Sequence, residues 1–248
     1  MIGYKNVGET TSEFVNRVRL EYNIPETVKV GICGKLDPQA KGKMKILIGT
    51  DTKLMTAHML SSKIYEFDIM AGISTNSDDI MGNVGQVREC FDTLSENKLK
   101  DYMNNDLVKT TQQKYHHISA YKIRKRPGPK RPLWYWYKEG CLVEDDIPSK
   151  KVTIFKVEFL NKSLVPINEY KLDVKQKLDT MTDRTTWNID EIWNSWSEIT
   201  SLTPLIKLSY RIHVSSGFYI RMISKTINTT FNIPVHISNI NRIDIIEV

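Results

Sequence analysis

The 248 residues are 40% hydrophobic and 26% charged, apolar enough for a sizeable core and not polar enough for a disordered chain. Lys and Arg number 35 against 29 Asp and Glu, a formal charge of +6 with a pI near 9.0, so the surface attracts anionic partners without distinguishing RNA from a membrane. No apolar run approaches the roughly 18 residues of a membrane span, no signal or transit pattern opens the chain, and Cys33, Cys90 and Cys141 fit neither a disulfide framework nor a zinc site, so a soluble cytoplasmic protein without structural metal is expected.

In chain order, Thr11 to Leu20 places Phe14, Val15 and Val18 at helical spacing behind a Thr/Ser cap and predicts a first helix. Val28 to Gly42 carries glycines around Leu36-Asp37-Pro38 and reads as a loop with special backbone demands. Met44 to Gly49 predicts a short strand, Thr52 to Leu60 a helix, and Ser62 to Gly72 a strand running into the turn-rich Ser74 to Gly82. A charged helix is expected over 92–104 and a strand over 117–123. The run Lys122 to Arg131 holds six basic residues, Lys122, Arg124, Lys125, Arg126, Lys130 and Arg131, and no acid, kept extended by two X-Pro steps. An aromatic block, Trp134 to Tyr137, follows at once. Strands are predicted over Lys151–Leu160 and Leu208–Val214, and a helix over Tyr219–Phe231. The sum is an α+β domain with a mixed, mostly antiparallel sheet, without repeats and without a dividing linker.

Four polar positions stand out: Asp37 in Gly-Lys-Leu-Asp-Pro, Tyr65 in Lys-Ile-Tyr, Asp79 after Asp78, and Arg221 in Ser-Gly-Phe-Tyr-Ile-Arg. Singly each has a bland explanation, as a turn residue, a half-buried strand tyrosine or a junction. Together and in this order they resemble the TruB-type tRNA pseudouridine synthases. The segment Gly31-Ile-Cys-Gly-Lys-Leu-Asp-Pro-Gln-Ala-Lys-Gly42 is similar to that family's loop, and Gly49-Thr-Asp-Thr-Lys53 follows at the family's distance. Lys63-Ile64-Tyr65 resembles its Lys-x-Tyr strand, Thr75 to Asp79 its Thr-Asp-Thr-x-Asp turn, and Ser215 to Arg221 its Ser-Lys-Gly-Thr-Tyr-Ile-Arg motif. Weaker matches, Lys5 with Gly8, Ser119 to Lys122, and His236 to Arg242, extend the resemblance over nearly the whole chain.

The resemblance implies a pseudouridine synthase fold around an RNA-binding cleft and isomerisation of a uridine in structured RNA, with the T-loop of tRNA as the expected substrate. It assigns Asp37 as the catalytic carboxylate, Arg221 as the cation that keeps it ionised, Asp79 as the partner that aims Arg221, and Tyr65 as the residue against the base, with Tyr219 packing on the pocket. No metal or organic cofactor is required, because the reaction changes no oxidation state and loses no group. Lys63 and Lys53 are either solvated lysines or phosphate contacts. The basic run lies where the family has an RNA-gripping insertion, placed here at about 105–140.

Departures from the family bear on substrate and role. Ile32 stands where the family has a loop histidine associated with opening the T-loop, which keeps open an RNA-binding folding factor that does not turn over. His116-His117 replaces Pro-Pro; as neighbours in a strand they would face opposite ways, so a structural role is expected over metal binding. About 161–205 is an extra insertion in which Trp193 and Trp196 share a helical face, as a core-capping helix would. The family's small C-terminal PUA domain is not expected in these 248 residues, and the chain is expected to act as a single-domain monomer.

Overall fold

The computed structural model describes residues 1–88, 93–200 and 204–247, so Cys90 and the first residue of the helix expected over 92–104 lie outside the described residues. Strand β1 (Ile2–Lys5) precedes helix α1 (Thr11–Glu21), then come β2 (Val30–Cys33), β3 (Lys41–Ile48), a 3-10 turn (Gly49–Leu54), α2 (Met55–Met59) and β4 (Ser62–Ala71). The short pair β5 (Ile73–Thr75) and β6 (Val84–Val87) leads to α3 (Thr93–Asp101), β7 (Gln112–Lys114), β8 (Lys122–Ile123), β9 (Arg131–Pro132) and α4 (Leu133–Lys138). The remainder is β10 (Ser149–Lys151), β11 (Ile154–Val165), α5 (Ile167–Asp179), α6 (Ile189–Ser197), β12 (Leu205–Val214), α7 (Arg221–Phe231) and β13 (Val235–Ile246).

The seven-stranded sheet runs β1-β3-β13-β4-β12-β11, with β2 pairing β3 off that path. All its pairings are antiparallel except β13 against β3, which gives the mixed, mostly antiparallel sheet expected. Helix α1 starts where the Thr10 hydroxyl accepts the Glu13 N–H at 3.2 Å and the Glu13 carboxylate accepts the Thr10 N–H at 2.7 Å, a reciprocal cap. Its Phe14 and Val18 join the strands, Met103, Ile223 and Ile227 in the main core.

Three expectations change. Residues 28–42 are not all loop, because Val30 to Cys33 pairs with Ile48 to Lys45 as β2. The 117–123 strand is reduced to Lys122–Ile123, and residues 117–120 are bends. The reason is that Ile118 turns its N–H onto the His116 ring at 3.0 Å instead of a neighbouring strand. The 52–60 helix is split into the 3-10 turn and α2.

The segment after β11 builds a second core. Tyr170, Val174 and Leu178 of α5 and Ile189, Ile192 and Trp196 of α6 pack on Met70, Ile73 and Ile80, with Trp193 half-buried beside them, as the shared face predicted. Trp196 is fully buried and its indole donates to the Gly82 carbonyl at 3.2 Å, tying this core to the turn that carries Asp79.

Candidate active site

Asp37 rides on the loop between β2 and β3, and three contacts hold that loop. The ammonium of Lys5 donates to the carbonyls of Pro38 at 3.1 Å and Ala40 at 2.7 Å, and the Gly8 N–H donates to Pro38 at 2.9 Å. Lys5 has no exposed surface, and burial lowers its pKa to about 8. At the loop's end Gly42 has φ +126°, and a Cβ there would meet the Arg242 carbonyl oxygen at 2.3 Å, so only glycine lets β3 lie against β13.

Arg221 opens α7, directly after the turn that leaves β12, and its guanidinium is 5% exposed. Nη2 lies 3.0 Å from Asp37 Oδ2 and donates to the Ile118 carbonyl at 3.0 Å, while Nε faces Asp79 Oδ2 at 3.4 Å. Asp37 and Arg221, remote in sequence, thus meet as the motif reading requires, and Asp79 aims the far side of the guanidinium. Asp79 accepts from the Ser77 hydroxyl at 2.6 Å, the Met81 N–H at 2.9 Å and Gln39 Nε2 at 3.2 Å. Burial pushes its carboxyl upward against the pull of Arg221. Asp37 differs from Asp79 in access: its side chain is 41% exposed, the one member of the triad a substrate can reach.

The pair opens into a cavity of about 820 Å³ whose walls include Tyr65, Tyr219 and Phe218, within the size range of small-ligand sites. Tyr65 comes from β4, buried to 8% exposure, with its neighbours in register on β12 and β13. Tyr219 is clamped by Gln113, which accepts its N–H at 2.8 Å and donates to its carbonyl at 3.2 Å. Burial, with the negative charge of Asp37 nearby, pushes its phenol to about 12, so it stays protonated.

Lys63 lines the large cavity; its ammonium donates to the carbonyls of Met59 and Ser61, and burial lowers its pKa to about 8. Lys53 is exposed on the 3-10 turn, away from the cavity lining. In the basic run, Lys122, Arg124, Arg126, Lys130 and Arg131 are exposed, with Arg126 over Trp136 and Arg131 over Tyr135, whereas Lys125 is drawn onto the Asp146 carboxylate. This hairpin starts and ends at the cleft rim, where Leu133 N–H donates to Tyr121 at 2.8 Å and Trp134 N–H to Ser119 at 3.3 Å.

One contributor escapes a reading by sequence, and another is read only in part. Lys150 lies 4.1 Å from the Tyr219 ring centre and 4.7 Å from that of Tyr115, facing the large cavity, with its pKa lowered to about 8 by burial. Nothing in Ser149-Lys150-Lys151 separates it from its neighbour. The other is His116. Its ring is fully buried and stacked on His117 with centroids 4.3 Å apart, so the two histidines do not face opposite ways, contrary to the strand-based expectation.

With Asp78 these histidines form a group of metal-ligand type among the described residues, and its atoms are engaged with the protein itself. His116 Nδ1 accepts the Ile118 N–H at 3.0 Å and faces Arg221 Nη1 at 3.3 Å, which puts the ring proton on Nε2, aimed at Asp78 Oδ2 at 3.1 Å. Both ring nitrogens thus have protein partners, and the guanidinium of Arg221 stands beside them. Burial and Arg221 hold His116 well below the ordinary imidazole range, while burial raises Asp78 to about 7. The group is a hydrogen-bond bracket for Arg221.

The sequence model described as TruB family pseudouridylate synthase (N terminal domain) matches residues 22–182, which include Asp37, Tyr65 and Asp79. The chain belongs to the TruB family. It is similar to the tRNA pseudouridine synthase B of Caldicellulosiruptor saccharolyticus, 32% identical over 157 residues covering 63% of this chain and 50% of that one. The tRNA pseudouridine synthase B of Bacillus pumilus is 26% identical over 239 residues, 96% of this chain and 62% of that one. The tRNA pseudouridine synthase 4 of Saccharomyces cerevisiae is 31% identical over 151 residues, 58% of this chain and 34% of that one. This TruB-family chain therefore spans from about a third to under two thirds of the length of these relatives. Its fold is shared with a chain in the crystal structure of a Cbf5-Nop10-Gar1 complex, with a TM-score of 0.50 at 14% identity over 98% of this chain and 47% of that one. Among the described residues no helix is long and apolar enough to cross a membrane.

Proposed function

We propose that this protein isomerises a uridine of a structured RNA to pseudouridine, with the T-loop uridine of tRNA as substrate and Asp37 as the catalytic carboxylate. One observation carries the reading: the reachable Asp37 carboxylate is held 3.0 Å from a buried guanidinium at the floor of a cavity walled by Tyr65 and Tyr219. Breaking the N1–C1′ bond leaves positive charge at C1′, and a carboxylate against the ribose meets it either by attack or by stabilising that charge while a C2′ proton leaves. Both routes need a carboxylate held against the ribose, and the Arg221 guanidinium 3.0 Å from Asp37 Oδ2 fixes it there. Tyr65 lies where its ring can stack on the uracil and its hydroxyl can relay a proton. The uracil must leave its stack to arrive there, which costs a few kcal/mol and calls for the phosphate grip that the basic hairpin at the rim offers.

Incubating the protein with unmodified tRNA and mapping pseudouridine by carbodiimide primer stops tests the proposal. A stop at the T-loop uridine that vanishes with Asp37→Ala is the expected result, and no stop on any structured RNA sinks it. A second reading, an RNA folding factor without turnover, is favoured by Ile32, which lines the cavity with an apolar side chain where the family has histidine. Asp37→Ala separates the two, because a folding factor keeps its function in that variant.

A further inference from the structure

Beside the large cavity lies a smaller one of about 230 Å³, and the two share Lys35, Leu36, Asp37, Ser119, Ala120 and Arg221, so Asp37 stands on the ridge between them. The mechanism above uses only the large one. The small one is walled by two indoles from segments far apart in the chain: Trp134, which follows the basic hairpin, and Trp187, from the 161–205 insertion. Met81 and Pro38 add apolar surface, and Thr10, Thr11 and Ser77 add hydroxyls.

We propose that this cavity is a second nucleobase subsite, which takes a base flanking the target uridine and stacks it on Trp134 and Trp187. The inference rests on the RNA reading above and specifies what the two insertions contribute to it. Trp134 keeps 40% of its surface exposed although it adjoins the buried Leu133 and Trp136, so its indole is not needed to fill the core. Neither Trp134 nor Trp187 has a hydrogen-bond partner for its ring N–H among the described residues, and Trp187 is only partly covered by the second core. A nucleobase suits this lining because its faces are apolar and its edge is polar, so it can lie on an indole while its edge meets hydroxyls. The position suits it too. A base entering from the shared ridge leaves its phosphate at the rim, where Lys35 stands and where the basic hairpin begins and ends.

The test is a double-mutant cycle between RNA and protein. T-arm hairpins are made with an abasic residue at each loop position flanking the target uridine in turn. Their binding and pseudouridine formation are measured with the wild-type protein, Trp134→Ala and Trp187→Ala. At one flanking position the wild type is expected to bind the abasic hairpin roughly tenfold more weakly than the parent hairpin, the size of one lost base stack. The Trp variants, already weakened by a similar factor, are expected to lose little more with that same RNA. If the wild type binds every abasic hairpin as tightly as the parent, the subsite does not exist, whatever the variants do. Fully additive losses overturn the pairing of base and indole. A parent hairpin that binds but is never converted defeats the pseudouridine reading alone, since the subsite is judged by binding; one that neither binds nor is converted overturns both.

Discussion

Arg221 is the residue on which most of the site converges. It faces Asp37 and Asp79 directly, Asp78 through His116, and the carbonyls of Ser77 and Ile118. Replacing it by methionine keeps the bulk and removes the charge, leaving Asp79 buried without its counter-ion. Losing one partner of a buried ion pair costs about 3–5 kcal/mol, which for a chain of this size lowers the melting temperature by roughly 6–20 °C. Calorimetry on Arg221→Met checks this, and a melting temperature close to wild type would show that Asp79 does not depend on the guanidinium. His116→Ala is expected to cost less, about 1–3 kcal/mol in urea denaturation, because the Ile118 N–H loses its acceptor while Arg221 keeps its carboxylates. A variant as stable as wild type would mean that water replaces the imidazole. Asp37, Tyr65, Asp79 and Arg221 were legible in the sequence because each sits inside a motif whose neighbours set the backbone. His116 was not, because its role comes from a bend at 117–120 that brings two rings together, and a period-two reading separates them.

Among the elements, the junction of β3 with β13 lies directly behind the Asp37 loop. The two strands run parallel for only Asn241↔Lys41 and Arg242↔Gly42, directly after the Asp37 loop. Gly42→Ala puts a methyl group against the Arg242 backbone and forces a non-glycine residue to φ +126°. The strain is about 1–3 kcal/mol, and the backbone shift that relieves it moves the Asp37 loop. Activity in the carbodiimide assay is therefore expected to fall by more than the stability loss explains, at a temperature where the variant remains folded by circular dichroism. A folded Gly42→Ala with wild-type turnover would show that the loop is positioned independently, through Lys5. Elements with clear periodicity, such as α1, β4 and α7, were legible within a few residues. β1 and β2 were not, being four residues each and, for β2, set among glycines that signal a turn; their pairing with β3 supplies what local preference does not.

For the whole molecule, acid stability follows from where neutral histidines are buried. His116 lies well below its ordinary value of 6.5, and burial holds His117 and His236 at about 4. His236 is fully enclosed, its Nε2 accepting the Tyr170 hydroxyl at 2.6 Å and its Nδ1–H donating to the Ile73 carbonyl at 2.8 Å, and neither bond pattern admits a second ring proton. Below pH 6.5 the unfolded chain takes up a proton on each histidine while the folded protein does not, so stability is complete above that pH and is lost as pH falls toward 4. Asp78 has the opposite sign. Raised to about 7 from 3.8, it is protonated in the folded protein and charged in the unfolded chain throughout this window, and the buried Asp79, whose carboxyl is also pushed upward, acts in the same direction, so the two aspartates offset part of what the three histidines contribute. The histidines outnumber the aspartates, so stability should still fall as pH drops from about 6 to 5, by about 1.4 kcal/mol per pH unit for each net proton, above the range where paired carboxylates titrate. Urea denaturation across that interval measures the slope directly. His236→Gln, which keeps a polar side chain and removes the titration, should lower the slope by about 1.4 kcal/mol per unit, and an unchanged slope in that variant would mean that the acid sensitivity resides elsewhere than in this ring.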